Sequence, residues 1–537
     1  MRVVPDAWLD ASPEAGQHEL VPRPAARSSA LRTTIGLTIA AVVAAGLVFR
    51  FLTSSHLWSD EALSVNIANL HLSDLRVALR QDGAPPLYYV LLHVWMRLFG
   101  TGDWTVRAMS GLFSVATLPV AWAVGRRLDR RRLALGVPTE DRSTVAWAAV
   151  LLFASSPFAI RYATETRMYS LVMLLAALGY LAVLAALERP TLWRLAAITV
   201  VTGLLLYTHY WAFALVLVVA AFVAGAVIRD HSRRAALRVL VAIGIGCLTF
   251  VPWLPTFLYQ ERHTGTPWGV PVSPWKGTST AVLDFGGSTR FLAWGLLVLV
   301  LLALFARARD GRYLDVDLWT RPGVRTELVV AFGTLWCGLV ISYIGHSTFE
   351  SRYAAVMFPM FLFAAAYGVT VFANRLVRYG VLAIAVVLGF TGGVSNVRTE
   401  RTQAPQIANA ILASARPGDV VAYCPDSNGP DVHRLIPGWR GLREVTYPEL
   451  AGPSRIDWID YQARTRAVTA PEFANRLETF AGHSDIWFVW SSGLNGLKDK
   501  CERVLDDLSK TTGDHARVVE PNLGTFEHMG LVHYTLG

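Results

Sequence analysis

Charge is what this chain has least of. Only 17% of its 537 residues are Asp, Glu, Lys or Arg, against about 25% in a globular domain, so roughly a third of the usual charge is missing. Soluble chains of this length divide into domains whose surfaces need Lys, Glu and Asp, which argues against a soluble multidomain enzyme. Disorder is excluded as the main state, because 53% of the residues are hydrophobic and supply ample surface to bury. Lysine is rarer still, with four residues among the 49 Lys and Arg; GC-rich codon usage explains this, and no function follows from it. Cysteine is also scarce, at four residues. The chain has no P-loop, no G-x-G-x-x-G after a strand and no H-E-x-x-H, so nothing in it cradles a nucleotide or marks a zinc protease.

What is abundant is apolar sequence in long blocks, near 33–53, 105–125, 144–160, 169–187, 194–209, 211–228, 238–258, 290–306, 327–345, 354–373 and 380–396. Eleven such blocks predict a polytopic α-helical membrane protein, although several fall short of the ~20 residues a bilayer asks for. The net charge of +9 does not indicate a nucleic-acid partner, because the basic residues sit in short loops between the blocks. Arg126, Arg127, Arg130, Arg131 and Arg132 follow the second block; Arg229, Arg233, Arg234 and Arg238 the sixth; Arg307, Arg309 and Arg312 the eighth; Arg375 and Arg378 the tenth. The positive-inside rule then puts the N-terminus and these loops in the cytosol of a multi-pass plasma (inner) membrane protein. The connections 54–104, 161–168, 259–289 and 346–353, and the tail 397–537, face outward. Residues 1–31, rich in Pro, Ala and Arg, read as a flexible cytosolic leader.

The tail changes character. A helix-like stretch at Gln406–Ala415 precedes the short apolar runs Val420–Cys424, Ile486–Trp490, Arg517–Glu520 and Leu531–Thr535, predicting a small extracytoplasmic α/β domain. Cys247 and Cys337 lie in spans and read as small apolar residues. Cys424 and Cys501 share the outward tail, where the compartment permits a disulfide but the sequence does not fix their separation. Trp487 and Trp490 fit a strand core better than a sugar-stacking face.

Polar chemistry collects on the outward side. Trp58-Ser59-Asp60-Glu61 puts two carboxylates at the membrane edge after the first block; an N-cap and helix dipole explain one of them, not both. Arg161-Tyr162-Ala163-Thr164-Glu165-Thr166-Arg167-Met168-Tyr169 sets two Arg, a Glu and two Tyr between apolar blocks. An internal Glu–Arg pair fastening two helices is one reading; an Arg left free for a phosphate is the other. Tyr207-Thr208-His209-Tyr210 and Glu350-Ser351-Arg352-Tyr353 lie at two further outward ends. The segment around 85–99, opened by Pro85-Pro86 and carrying Tyr88, Tyr89, His93 and Trp95, is short for a span and reads as an interfacial amphipathic helix.

Together these residues resemble the GT-C glycosyltransferases, in the branch of the protein O-mannosyltransferases and the lipid A aminoarabinose transferase. The resemblance runs over about residues 30–395 and rests on Trp58-Ser-Asp60-Glu61-Ala62, Asp82-Gly-Ala-Pro85-Pro86-Leu-Tyr88-Tyr89, Tyr162-Ala-Thr-Glu165-Thr-Arg167-Met168-Tyr169, Tyr207-Thr208-His209-Tyr210 and Arg352-Tyr353. The tail matches nothing in it. It implies a GT-C fold and inverting transfer of a sugar, mannose first and arabinose next, from a polyprenyl-phosphate donor to a hydroxyl of a cell-envelope glycan, lipid or protein. Asp60 would be the general base, with Glu61 helping to position it or the acceptor. Arg161, Arg167 and Arg352 would hold the phosphate, and Tyr162, Glu165, Tyr169, His209 and Tyr353 would complete the donor site. Tyr88 and His93 would line the substrate groove at its entrance. No metal is indicated; some relatives use a divalent ion, for which Asp60 and Glu61 are the candidate ligands. A glycolipid transporter or flippase that breaks no bond is the alternative reading.

Overall fold

The computed structural model describes residues 25–135, 142–228, 233–309, 313–512 and 514–536. The expected leader lies outside the described residues up to position 24. The chain divides into two units, Met1–Ala41 and Val42–Gly537, and everything that forms the site lies in the second.

Most of the second unit is apolar helix. Asp103–Ala134, Tyr169–Glu188, Arg233–His263, Arg325–Ile344 and Arg375–Arg398 are each long and apolar enough to cross a membrane. Thr144–Ser155 and Pro157–Ala163 qualify together as one element bent by 54°. The bend has a local cause. Pro157 cannot donate to the preceding turn, and the Ser156 hydroxyl caps the new helix by accepting the Ala159 N–H at 3.1 Å. The other five expected blocks overlie helices of 10–17 residues, so the count of eleven crossings stays an inference from composition. The outer faces of these helices carry large apolar side chains such as Phe291, Ile344, Leu248 and Ile384, all exposed, as lipid-facing helices require. Their inner faces approach closely: a Cβ on Gly125 would stand 2.4 Å from the Ala146 Cα, so only glycine fits there. Asp129 seals the same crossing by accepting the N–H groups of Val145 and Ala146, both at 3.1 Å, which satisfies a helix N-terminus from a neighbouring helix.

The expected interfacial helix is Leu87–Phe99, 13 residues, with Tyr88, Tyr89, Leu92, His93 and Met96 buried along one face. An antiparallel hairpin pairs Ala306–Arg309 with Tyr313–Val316, two short strands that the apolar pattern does not signal.

The C-terminal region is a five-stranded mixed sheet in the order Arg443–Thr446, Val420–Cys424, Ile486–Trp490, Gly530–Thr535, Asp514–Val519. The first three strands are parallel and the last two antiparallel to their neighbours. Alternation along Val420–Cys424 explains its full burial. Val420, Ala422 and Cys424 pack with Phe473, Leu477 and Leu508, while Val421 and Tyr423 pack with Ile407, Ile411 and Trp487. Helices therefore cover both faces. Trp487 is core, stacked on His533 at 4.1 Å, with its indole N–H on Asp419. Cys424 and Cys501 are joined in a disulfide with a Cα separation of 5.5 Å, tying the sheet to the helix Lys500–Thr512.

Candidate active site

Helix Ser59–Ala68 follows the buried Leu57 and Trp58, and its first turn carries both acids. Successive helical residues point about 100° apart, so the two carboxylates face different surroundings.

Asp60 faces a cavity of about 450 Å³ at one end of the helical body. Its Oδ2 is 3.0 Å from Arg352 Nη1 and 3.8 Å from Arg167 Nη2. Arg167 is anchored by Nη1 donating to Ser64 Oγ at 3.0 Å. Tyr169, His209 and Tyr353 line the same cavity, with the His209 ring 5.8 Å from Tyr169 and 5.4 Å from Tyr353. The His209 Nδ1 accepts the Trp211 N–H at 3.1 Å, which leaves Nε2 as the nitrogen that faces a ligand as donor. Three buried donors at the cavity, Trp58 Nε1, Arg167 Nε and Arg352 Nε, have no hydrogen-bond partner among the described residues. Buried donors are rarely left so; the two guanidiniums that line the cavity suit an oxyanion such as a phosphate.

Glu61 does not reach this cavity. It is fully buried, with Arg107 Nε on Oε1 at 2.8 Å, Arg107 Nη2 on Oε2 at 2.5 Å, the Thr166 N–H on Oε1 at 2.7 Å and Arg401 Nη1 at 3.8 Å. Burial works to raise its carboxyl, but Arg107, Arg401 and Thr166 outweigh it and hold the group below the usual carboxylate range. Of the two roles expected for Glu61, contact with the acceptor is ruled out by this burial: Glu61 ties the Ser59–Ala68 helix, which carries Asp60, to Arg107, and through Arg401, which donates to the Thr164 carbonyl at 2.7 Å, to the segment before Arg167.

Three more expected donor-site residues, and two at the groove entrance, support the frame instead of lining the cavity. Arg161 Nε pairs with Glu165 at 3.3 Å, the helix-fastening reading of that segment; burial pushes Glu165 up, against the nearby Arg161. Tyr162 is packed between Phe158 and Tyr169. Tyr88 bonds Ser110 Oγ at 2.9 Å, and His93 Nδ1 bonds the Ala68 carbonyl at 2.8 Å, both buried. Asp60 and Glu61 do not form a metal site either, since each carboxylate is directed at different guanidiniums.

The cavity also holds residues that sequence reasoning did not assign. Asp82 accepts the Tyr89 hydroxyl at 2.8 Å, and Glu350, Trp268, Ser427, Trp458, Phe526 and Glu527 complete the wall. Asp82 sits in a segment already conspicuous for Pro85-Pro86; the last four come from the tail, where Trp458 is one of several aromatics able to stack on a sugar and no motif signals the other three. A separate apolar groove of about 80 Å³ runs beside Tyr180, Val183, Val216, Val219, Phe222 and Met360.

No family model and no curated protein matches the chain. Its fold is shared with solved proteins. It superposes on ArnT from Cupriavidus metallidurans in the apo state with a TM-score of 0.61 at 14% identity, over 93% of this chain and 98% of that one. On the same protein bound to undecaprenyl phosphate the TM-score is 0.57 at 14% identity, over 92% and 97%. An oligosaccharyltransferase from Archaeoglobus fulgidus, tethered with an acceptor peptide, aligns at a TM-score of 0.44, too loosely to bear on the fold.

Proposed function

We propose that the chain is an inverting glycosyltransferase that moves a sugar from a polyprenyl-phosphate donor to an acceptor hydroxyl. The observation that carries the reading is the meeting of Asp60, Arg167 and Arg352 in one cavity. An acceptor hydroxyl is a poor nucleophile and needs a carboxylate within hydrogen-bond reach. Asp60 takes its proton as the acceptor oxygen attacks the anomeric carbon from the side opposite the phosphate. The bond from that carbon to the phosphate oxygen breaks, and polyprenyl phosphate leaves with the electron pair. Phosphate is a weak base, so charge stabilisation by Arg167 and Arg352 matters more than a proton. His209, whose Nδ1 accepts the Trp211 N–H, can donate through Nε2 to sugar or phosphate oxygen.

ArnT from Cupriavidus metallidurans is bound to undecaprenyl phosphate in one crystal structure, and a lipid of that class is the donor carrier proposed here. The apolar groove beside Tyr180 and Val216 is a candidate bed for its chain. Mannose is the first sugar to test and arabinose the second; the acceptor is a glycan, lipid or protein of the cell envelope. The loop arginines put the N-terminus in the cytosol, and the site with residues 397–537 outside, on a catalytic body of 32–396. The test is incubation of the purified protein in lipid nanodiscs with a panel of labelled polyprenyl-phosphate sugars. Release of polyprenyl phosphate with one sugar supports the reading. Movement of the lipid across a vesicle membrane without bond cleavage would replace it by a transporter.

A further inference from the structure

The first turn of the Ser59–Ala68 helix is held from the far end of the chain. Trp58 at the N-cap offers the helix amides no side-chain acceptor. The Ser59 N–H instead meets both carboxyl oxygens of Glu527, at 3.1 and 3.0 Å. The Ser59 hydroxyl donates to the Ser427 carbonyl at 2.6 Å, and Phe526 packs edge-on against Trp58 with centroids 5.1 Å apart. Glu527 is in turn hydrogen-bonded to the buried Asp431, which accepts the Thr402 hydroxyl at 2.7 Å. Two carboxyls in such contact share a proton. Burial pushes Asp431 up to about 6 and, with Asp431 beside it, Glu527 well above the usual range. Glu527 thus accepts on one side, shares a proton on the other, and lines the cavity that Asp60 faces. The bonding resembles that of Asp129 at Val145 and Ala146, with one difference: the residue after the captured amide is Asp60.

We propose that Glu527 is a positioning residue for Asp60: by holding the Ser59 amide it fixes the helical turn that aims the Asp60 carboxylate at Arg352 and Arg167. This rests on reading Asp60 as the base. The tail then belongs to the site, although residues 59 and 527 are 468 positions apart.

The test uses the full-length protein in nanodiscs, with the donor it turns over and with undecaprenyl phosphate alone as the binding probe. Displacing a catalytic group by about 1 Å can cost on the order of a hundredfold, so Glu527→Ala is expected to lower kcat by at least about tenfold. Its affinity for undecaprenyl phosphate, which depends on the two arginines, stays within about twofold. Glu527→Gln, which keeps an acceptor and needs no shared proton, recovers most of the lost turnover. Ser59→Pro removes the amide at an N1 position that tolerates proline. It is expected to match Glu527→Ala once the hydroxyl's own share, read from Ser59→Ala, is removed, and the double variant is no worse than either single one. Wild-type kcat in Glu527→Ala, a parallel fall of kcat and probe affinity, or multiplying effects in the double variant would overturn the proposal. If Glu527→Ala does not fold, Glu527→Gln and Ser59→Pro still decide it. Turnover retained by Asp60→Asn sinks the base assignment instead, so the two failures are distinguishable.

Discussion

Arg352 Nη1 stands 3.0 Å from Asp60 Oδ2, across 292 positions of sequence. The guanidinium also lies over the Trp58 ring at 5.6 Å and the Trp268 ring at 6.0 Å, which limits how it can turn. The cavity therefore holds an acid and the cation nearest it in one fixed arrangement, before any substrate arrives. Under the proposed reading that cation also faces the donor phosphate.

Arg352→Ala should lower kcat/KM by about tenfold to a hundredfold, the equivalent of about 1.5–3 kcal/mol for a charged hydrogen bond. Arg352→Lys should recover only part of the loss, since an ammonium lacks the planar fork. Steady-state kinetics against donor concentration checks both, with KM rising in each. Equal activity of the lysine and wild-type proteins would contradict the role of the fork.

Glu61 should behave as a structural residue. Removing one partner of a buried, hydrogen-bonded pair leaves an uncompensated charge and costs about 3–5 kcal/mol. Glu61→Ala should thus lower the melting temperature and folded yield far more than Asp60→Asn does, because Asp60 is the more exposed acid. Thermal unfolding in detergent decides it. A Glu61→Ala protein as stable as wild type but inactive would return Glu61 to the chemistry.

How much of the fold and site is legible in the sequence follows from where the information sits. Val420–Cys424 and Ile486–Trp490 read as strands because both faces are buried and nearly every residue is apolar. Arg443–Thr446 has one apolar residue, Val445, and pairs only because Val420–Cys424 offers its free edge. The spans are readable from composition and their outward polar ends from spacing, so Asp60, Arg167, His209 and Arg352 can be singled out. Which neighbour of each pair faces the cavity cannot. Glu61 rather than Asp60 meets Arg107, and Arg161 rather than Arg167 meets Glu165, because of contacts with helices elsewhere in the chain. Arg107, Arg401 and Glu527 carry no local signal at all.

Stability should depend on pH with opposite signs at two buried acids. Burial pushes Asp426 up to about 7, against the Tyr461 hydroxyl at 2.6 Å and Arg464. The folded chain then holds a proton that the unfolded chain loses near pH 4. Stability from this site is full below about pH 4 and falls as pH rises toward 7, by at most about 4 kcal/mol. Glu61, held low, contributes stability that is complete above the ordinary carboxylate range and is lost as pH falls through its lowered value. Between pH 5 and 8 Asp426 titrates while Glu61 does not, so the melting temperature of wild type relative to Asp426→Asn should drop with rising pH. A difference between the two proteins that stays constant or grows in favour of wild type over that window would contradict this.

Reduction should destabilise the C-terminal region. The Cys424–Cys501 bond closes a loop with a sequence separation of 77, for which chain entropy gives a ceiling of about 4.5 kcal/mol. A phosphine reductant should lower the melting temperature, and the Cys424→Ala, Cys501→Ala double variant should show the lower value without reductant and no further response to it.

Asp60→Asn probes the proposed chemistry most directly. The substitution keeps the size and polarity of the side chain and removes its ability to take a proton. With the cognate polyprenyl-phosphate sugar, transfer should fall by about a hundredfold to ten-thousandfold, while the protein melts like wild type and still binds undecaprenyl phosphate. An Asp60→Asn protein that transfers sugar at a rate close to wild type would contradict the assignment of Asp60 as the base.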